Sequence, residues 1–274
     1  MKKFLSIICF LLIAGVAGCS GGRDSSSVDT VRMGFFPNVT HAQALLGVAT
    51  GAFDEAFQGV KVEYRTFNAG PDEIEALLAG QIDLAYIGPV PAINGYARSG
   101  KIRIISGAAN GGAALVSRPD VGVRSVKDLV GRTVAVPQYG NTQDLVLRHL
   151  LQAEGLKAGD EGGKVNVVQV QNPNLMTLFT RREIDAALVP EPWCSRVEQL
   201  GVARMVSGYE QVLGSYPTTV VVVREEFARQ RPDLVGKFLE AHRALTRRLN
   251  AHPAESAHLI IEQIKSITGE VLPE

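Results

Sequence analysis

The stretch Gly80-Gln81-Ile82-Asp83-Leu84-Ala85-Tyr86-Ile87-Gly88-Pro89 returns 102 residues later as Arg182-Glu183-Ile184-Asp185-Ala186-Ala187-Leu188-Val189-Pro190-Glu191. Upstream segments keep nearly the same spacing. Val31-x-Met33 followed by Asn38 matches Val134-x-Val136 followed by Asn141, and Val62-x-Tyr64 matches Val165-x-Val167. Each copy reads as strand, loop, helix, strand, helix, strand, loop. The nearly unbroken apolar run Ile82 to Ile87 suits a strand covered on both faces. Loops at the carboxyl ends of parallel strands are where α/β sheets hold ligands, so two copies predict two lobes with a cleft between their loop sets.

Working outward, strands are expected at Ile102 to Ala108 and Ala113 to Val116, and the Val-rich run Thr218 to Val223 carries the chain back to the first lobe. Crossings near residues 112 to 118 and 210 to 220 predict a two-strand hinge, and closure about such a hinge is a known motion of bilobal binding proteins. Helices Pro232 to Asn250 and Pro253 to Ile267 then complete the first lobe. The expected divisions are 29–115 for the first part of lobe 1, 116–212 for lobe 2, and 213–274 for the return to lobe 1 with its C-terminal helices.

The amino end carries a different message. Met1-Lys2-Lys3 is basic, and Phe4 to Gly18 is apolar and small throughout, closing on Val16-Ala17-Gly18-Cys19. That is the pattern of an export signal, too short for a comfortable bilayer span of about 20 residues. The small residues before Cys19 resemble the lipobox of bacterial lipoproteins. The resemblance implies that residues 1–18 are removed, that Cys19 is lipidated and anchors the chain to a membrane, and that residues 19–28 form a Gly/Ser-rich tether.

Composition excludes several classes of function. Twenty-eight basic residues balance 28 acidic ones, so no bulk field draws the chain to nucleic acid. Gly159 to Lys164 ends in Gly-Gly-Lys but lacks the first glycine and the final Ser or Thr of a phosphate loop. His41, His149, His242, His252 and His258 are scattered without ligand-pair spacing, apart from His252 with Glu255, so no metal or cofactor is expected. Cys194 is the only thiol beyond the leader and the anchor, and without a base and an orienting group nearby in sequence it reads as a buried apolar residue.

Gly34-Phe35-Phe36-Pro37-Asn38, Phe67-Asn68-Ala69-Gly70-Pro71, Glu75 to Ala85, Tyr139-Gly140-Asn141-Thr142-Gln143-Asp144 and Glu191-Pro192-Trp193, in this order, resemble the nitrate, sulfonate and taurine family of substrate-binding lipoproteins. The resemblance covers roughly residues 30 to 270. It implies a two-lobed type II periplasmic-binding fold and a monomer that delivers a small molecule to an ABC permease with its ATPase. It leaves the ligand open among nitrate, alkanesulfonates, taurine and thiamine-pathway pyrimidines. Pyrimidine synthases on a related fold resemble sequences with an iron-handling cysteine cluster, which this chain lacks, so no catalytic residues are expected. Members of that family continue into further helices on lobe 1 beyond the point where Leu272-Pro273-Glu274 stops. The stripe Leu259, Ile260, Ile264 and Ile267 is therefore expected to need a cover, and a truncated C-terminus stays open.

Within this frame, helix N-termini near Thr40 and near Asn141, Thr142 and Gln143 are expected to aim unpaired N–H groups into the cleft, which suits a small oxyanion. Asn68 adds a neutral donor, Phe36 and Trp193 offer apolar walls, and Asn38, Gly88 and Pro89 shape the remaining loops. Asn38, Thr40 and Thr142 also read as turn or cap residues, Gly88 and Pro89 as a strand end, and Trp193 as core. Glu191 either faces the ligand, where it suits a zwitterion or heterocycle better than a bare anion, or ties the hinge or a helix end.

Overall fold

The computed structural model describes residues 30–208 and 215–272. The leader, the tether and Cys19 lie outside the described residues. Two five-stranded sheets with the same strand pattern form the two lobes. In the first, β1 (Thr30–Phe35) pairs in parallel with β2 (Lys61–Thr66) and β3 (Leu84–Ile87), giving the order β2-β1-β3-β10-β4 with β4 at Ile102–Asn110 and β10 at Pro217–Arg224. In the second, β6 (Thr133–Val136) lies between β7 (Asn166–Gln169) and β8 (Ala186–Pro190), and the order β7-β6-β8-β5-β9 ends with β5 (Ala113–Ser117) and β9 (Arg204–Ser207). In each sheet the strand after the parallel trio is antiparallel, β10 beside β3 and β5 beside β8.

The repeat therefore has a structural cause at its Ile-Asp pair. Asp83, just before β3, accepts from Arg32 N (3.1 Å), Arg32 Nε (3.0 Å) and Arg224 Nη2 (2.8 Å). Asp185, just before β8, accepts from Thr133 N (2.9 Å) and Arg118 Nη2 (3.2 Å). Arg224 and Arg118 both stand at the ends of the antiparallel strands, and each returns its backbone N–H to the aspartate carbonyl at 2.9 Å. One carboxylate thus pins three strands at the edge of each sheet remote from the cleft.

The copies also diverge. Gly80 turns into the motif with φ 69°, and its counterpart Arg182 holds φ 61°, the left-handed conformation that costs a side-chain-bearing residue about 1–2 kcal/mol. Where lobe 2 has Met176, lobe 1 has Glu73, fully buried against Gly34 and Ile82, its carboxyl held well above the usual carboxylate range by desolvation.

Helices α1 (Ala42–Thr50), α2 (Ala52–Ala56), α3 (Gly70–Leu78) and α4 (Pro89–Ser99) belong to lobe 1, and α5 (Thr142–Ala153), α6 (Leu175–Thr180) and α7 (Trp193–Gln199) to lobe 2. After β10, helices α8 (Glu225–Gln230), α9 (Pro232–Ala251) and α10 (Pro253–Thr268) return to lobe 1. Phe53 stacks on Phe238 of α9 at 5.6 Å, and Tyr86 donates to or accepts from His242 Nδ1 at 2.9 Å, sealing this core.

Three expectations change. The crossover from lobe 1 falls at Gly111-Gly112, not after residue 115, because β5 pairs with β8 from Ala113 onward. Thr40 does not cap a helix; it sits inside a 3-10 turn, Val39–His41, whose N-cap is Asn38. The stripe Leu259, Ile260, Ile264 and Ile267 is not left bare: Ile260 and Ile264 are buried in the lobe 1 core with α1 and α9, and Leu259 and Ile267 pack beside them. The expected boundary at residue 212 lies outside the described residues.

Truncating Asp83 strands two arginines around a site where the carboxylate is 1% exposed, so Asp83→Ala is expected to cost about 3 kcal/mol in urea unfolding. Asp185→Ala should cost less, since that side chain is 19% exposed. Arg182→Gly exchanges left-handed strain for glycine's entropic cost and is expected to raise the urea midpoint, by up to about 1 kcal/mol of stability; a lower midpoint would exclude strain at this turn.

Candidate functional site

The loops leaving the carboxyl ends of β1, β2 and β3 face those leaving β6, β7 and β8, and a cavity of about 20 Å³ lies between them. Lobe 1 lines it with Phe36, Asn38, Thr40 and His41, then Asn68 to Gly70, then Gly88 and Pro91. Lobe 2 supplies Pro137, Asn141, Thr142, Gln143, Asn172 and Pro190, and Thr218 enters from the returning strand β10. This volume holds little more than one water molecule, so the lobes stand closed upon each other. A Cβ on Gly88 would collide with Thr142 Oγ1, which shows how closely α4 and α5 approach.

The cavity is polar but, among the described residues, no Asp, Glu, Lys or Arg lines it. Its donors are dipoles. Thr142 and Gln143 open α5, where first-turn N–H groups lack intrahelical acceptors. Asn141 Oδ1 satisfies only Asp144 N, at 2.8 Å. Gly70 opens α3, which has no side-chain cap, and Thr142 Oγ1 is buried without a partner. Asp144, close by, is neutralised by Arg148 at 3.0 Å and accepts from Gly140 N at 2.8 Å.

His41 completes the polar wall. Its Nδ1 accepts from Phe36 N at 3.2 Å, which leaves the ring hydrogen on Nε2, and the ring lies 4.4 Å from that of Phe36. Burial lowers its pKa to about 3, so the ring is neutral and a donor across the physiological range.

Eight expected residues meet here: Phe36, Asn38, Thr40 and Asn68 from the first two loops, Gly88 from the third, and Asn141, Thr142 and Gln143 from the second lobe. Three do not. Pro89 opens helix α4 outside the cavity wall. Glu191 turns away from the cleft, its carboxylate accepting from Ser195 Oγ at 2.6 Å and Ser195 N at 3.2 Å, and so caps the start of α7. Its backbone meanwhile joins the lobes, with N bonded to Gly112 O at 2.8 Å and O to Val39 N at 3.0 Å. Trp193 is 2% exposed in the lobe 2 core rather than a cavity wall, and its Nε1 donates to Asn38 Oδ1 at 2.8 Å.

Sequence reading missed His41, Asn172 and Thr218. Asn172 was findable, since it follows β7 as Asn68 follows β2. His41 is one of five scattered histidines with no ligand-pair spacing to single it out, and nothing in the local sequence marks Thr218. No cluster of three or more His, Cys, Asp or Glu is placed to hold a metal ion among the described residues.

Because unfolding restores an ordinary His41, the unfolded chain takes up a proton below about pH 6.5 that the folded one refuses until about pH 3. Folding stability should therefore fall as pH drops through this window, by up to about 1.4 kcal/mol per pH unit from this group. Thermal melts of His41→Asn, which keeps an acceptor for Phe36 N, should show a shallower acid decline than the wild type.

Comparison with known proteins places this architecture. A putative aliphatic sulfonates-binding protein of Bacillus subtilis (strain 168) is 27% identical over 279 residues, covering 99% of this chain and 81% of that protein. The taurine-binding periplasmic protein of Escherichia coli (strain K12) is 28% identical over 188 residues, 67% of this chain and 56% of that one. The alkanesulfonate-binding protein SsuA from Xanthomonas axonopodis pv. citri, bound to MOPS, superposes with a TM-score of 0.74 at 21% identity over 89% of this chain and 80% of its own. The fold is thus the two-lobed periplasmic-binding fold that the sequence led us to expect. The model of the NMT1-like family matches residues 24–264, and this chain belongs to that family.

Proposed function

We propose that this chain is the substrate-binding subunit of a bacterial ABC importer. In this reading it captures a small polar organic anion or zwitterion, an aliphatic sulfonate or taurine or a nitrate-like oxyanion, between its lobes. It hands the ligand unchanged to a permease driven by a separate ATPase. The chain is exported, works as a monomer and is held to the membrane by lipid on Cys19. Names of relatives support the ligand class, since those above are a sulfonates-binding and a taurine-binding protein.

One observation carries the reading: a closed cavity, lined by no Asp, Glu, Lys or Arg among the described residues, in which helix N-termini from both lobes and the unpartnered Thr142 Oγ1 converge. Neutral donors and helix dipoles stabilise an oxyanion without a buried cation that would need its own partner once the ligand leaves. Each helix end supplies roughly 0.3–1 kcal/mol, against about 8 kcal/mol for micromolar binding. Direct hydrogen bonds and burial supply the rest. The cavity's size requires the lobes to part for entry and to accommodate any organic tail, a hinge motion for which Gly111 and Gly112 are placed.

A second reading rests on Asn172. Its Oδ1 is buried without a donor, so a ligand bearing an N–H as well as an acceptor fits better than a bare anion. Taurine meets that demand, and so does a thiamine-pathway pyrimidine. Glu191 no longer favours the heterocycle, because its carboxylate is engaged with Ser195.

Thermal shift of the purified protein against taurine, alkanesulfonates, nitrate and aminopyrimidines tests both readings. A ligand at 100 times its Kd should stabilise the fold by about 2.7 kcal/mol. Stabilisation by the pyrimidine alone would select the second reading, and turnover of the bound compound would exclude both. Thr142→Ala is expected to weaken sulfonate binding by about 1.5–3 kcal/mol with little change in stability; calorimetry showing unchanged affinity would remove this hydroxyl from the site.

A further inference from the structure

Trp193 is the chain's single tryptophan, and its ring is packed in the lobe 2 core. An indole has one hydrogen-bonding group, the Nε1 donor, and a buried one takes an acceptor. Here the acceptor belongs to the other lobe: Asn38 Oδ1, at 2.8 Å. Asn172 Nδ2 approaches the same oxygen from lobe 2 at 3.4 Å. Asn38 is 5% exposed and lines the cavity. Its side chain caps nothing in its own turn, and its Nδ2 has no acceptor among the described residues.

An asparagine amide has two orientations that differ only in which end carries the donors. Two N–H groups converging on one end admit only oxygen there. We propose that Trp193 is a positioning residue for the binding site: its indole N–H fixes the flip of the Asn38 amide so that the Nδ2 hydrogens face the cavity. A carbonyl turned inward would repel an oxyanion, whereas the enforced amide donates to it. The backbone bond from Val39 N to Glu191 O, 3.0 Å long, holds the two segments in register, so the indole meets the amide in a fixed place. Trp193 thus acts on the ligand through Asn38, and its role is distinct from that of an apolar wall. The inference rests on the cavity being the ligand site.

The test uses the full chain as wild type, Trp193→Phe, Asn38→Ala and Asn38→Asp. The sole indole N–H gives one resonance in a nitrogen–proton spectrum. Its hydrogen exchange should be about 10-fold faster or more in Asn38→Ala than in the wild type. An unchanged exchange rate overturns the proposal whether or not any sulfonate binds. With taurine and ethanesulfonate as calorimetric probes, Trp193→Phe keeps the aromatic packing and should bind about 10-fold more weakly with little change in thermal midpoint. Asn38→Asp still offers an oxygen to the indole but turns a second one towards the cavity, and should lose about 100-fold or more. Wild-type affinity in Trp193→Phe overturns the proposal. A wild type that binds neither probe overturns the functional reading alone, and the exchange rate then decides whether Trp193 orients Asn38.

Discussion

Everything about the cleft depends on two aspartates that never touch it. Asp83 and Asp185 stand at the amino ends of β3 and β8, each clamping an arginine from the neighbouring antiparallel strand and a backbone N–H from the neighbouring parallel one. Those antiparallel strands, β10 and β5, are the ones that carry the chain into and out of the second lobe. Fixing them at the remote edge of each sheet sets the register of β3 and β8, and hence where their carboxyl ends deliver Gly88 and Pro190 to the cavity. A slip of one residue would turn every side chain of such a strand to the opposite face.

The lobes are also joined away from the hinge strands. Gln138 Nε2 donates to Asp72 Oδ1 across the mouth at 2.8 Å. On another side, Arg196 of α7 donates to Val271 O at 2.9 Å and pairs with Glu270, just past α10 of lobe 1. An exposed contact such as that of Gln138 with Asp72 contributes little. Arg196 is only 10% exposed and bonded twice, so the seam at α7 is the firmer one.

The cavity presents dipoles and, among the described residues, no Asp, Glu, Lys or Arg side chain. A fixed cation would bind an anion more strongly but would stand unpaired in the empty closed state, a cost of several kcal/mol. Thr142, Gln143, Gly70, Asn38 and neutral His41 incur no such penalty, and what they lack in charge they supply as direction. The fully buried Glu73 lies in α3, behind this wall, and desolvation holds its carboxyl well above the usual carboxylate range, which favours the uncharged form.

The sequence by itself determined the duplicated α/β architecture and the pairing of loop sets around a cleft, and it offered as candidates eight residues that the fold brings to the cavity. Repetition of strand periodicity is a local signal, and loops after parallel strands have only one end of the sheet to occupy. It could not show which polar groups each loop turns inward. The Ile-Asp echo marked the duplication without disclosing what its aspartates do: Asp83 and Asp185 hold strands at the far edge, and their partners Arg224 and Arg118 lie 141 and 67 residues away in the chain. Glu191 and Trp193 sit beside the cavity in sequence but are claimed by Ser195 and Asn38. His41, Asn172 and Thr218 reach it from separate elements. Only the tertiary structure decided these assignments, since a side chain's role depends on which donors and acceptors arrive from distant segments, and burial forces each polar group to take the partner it meets.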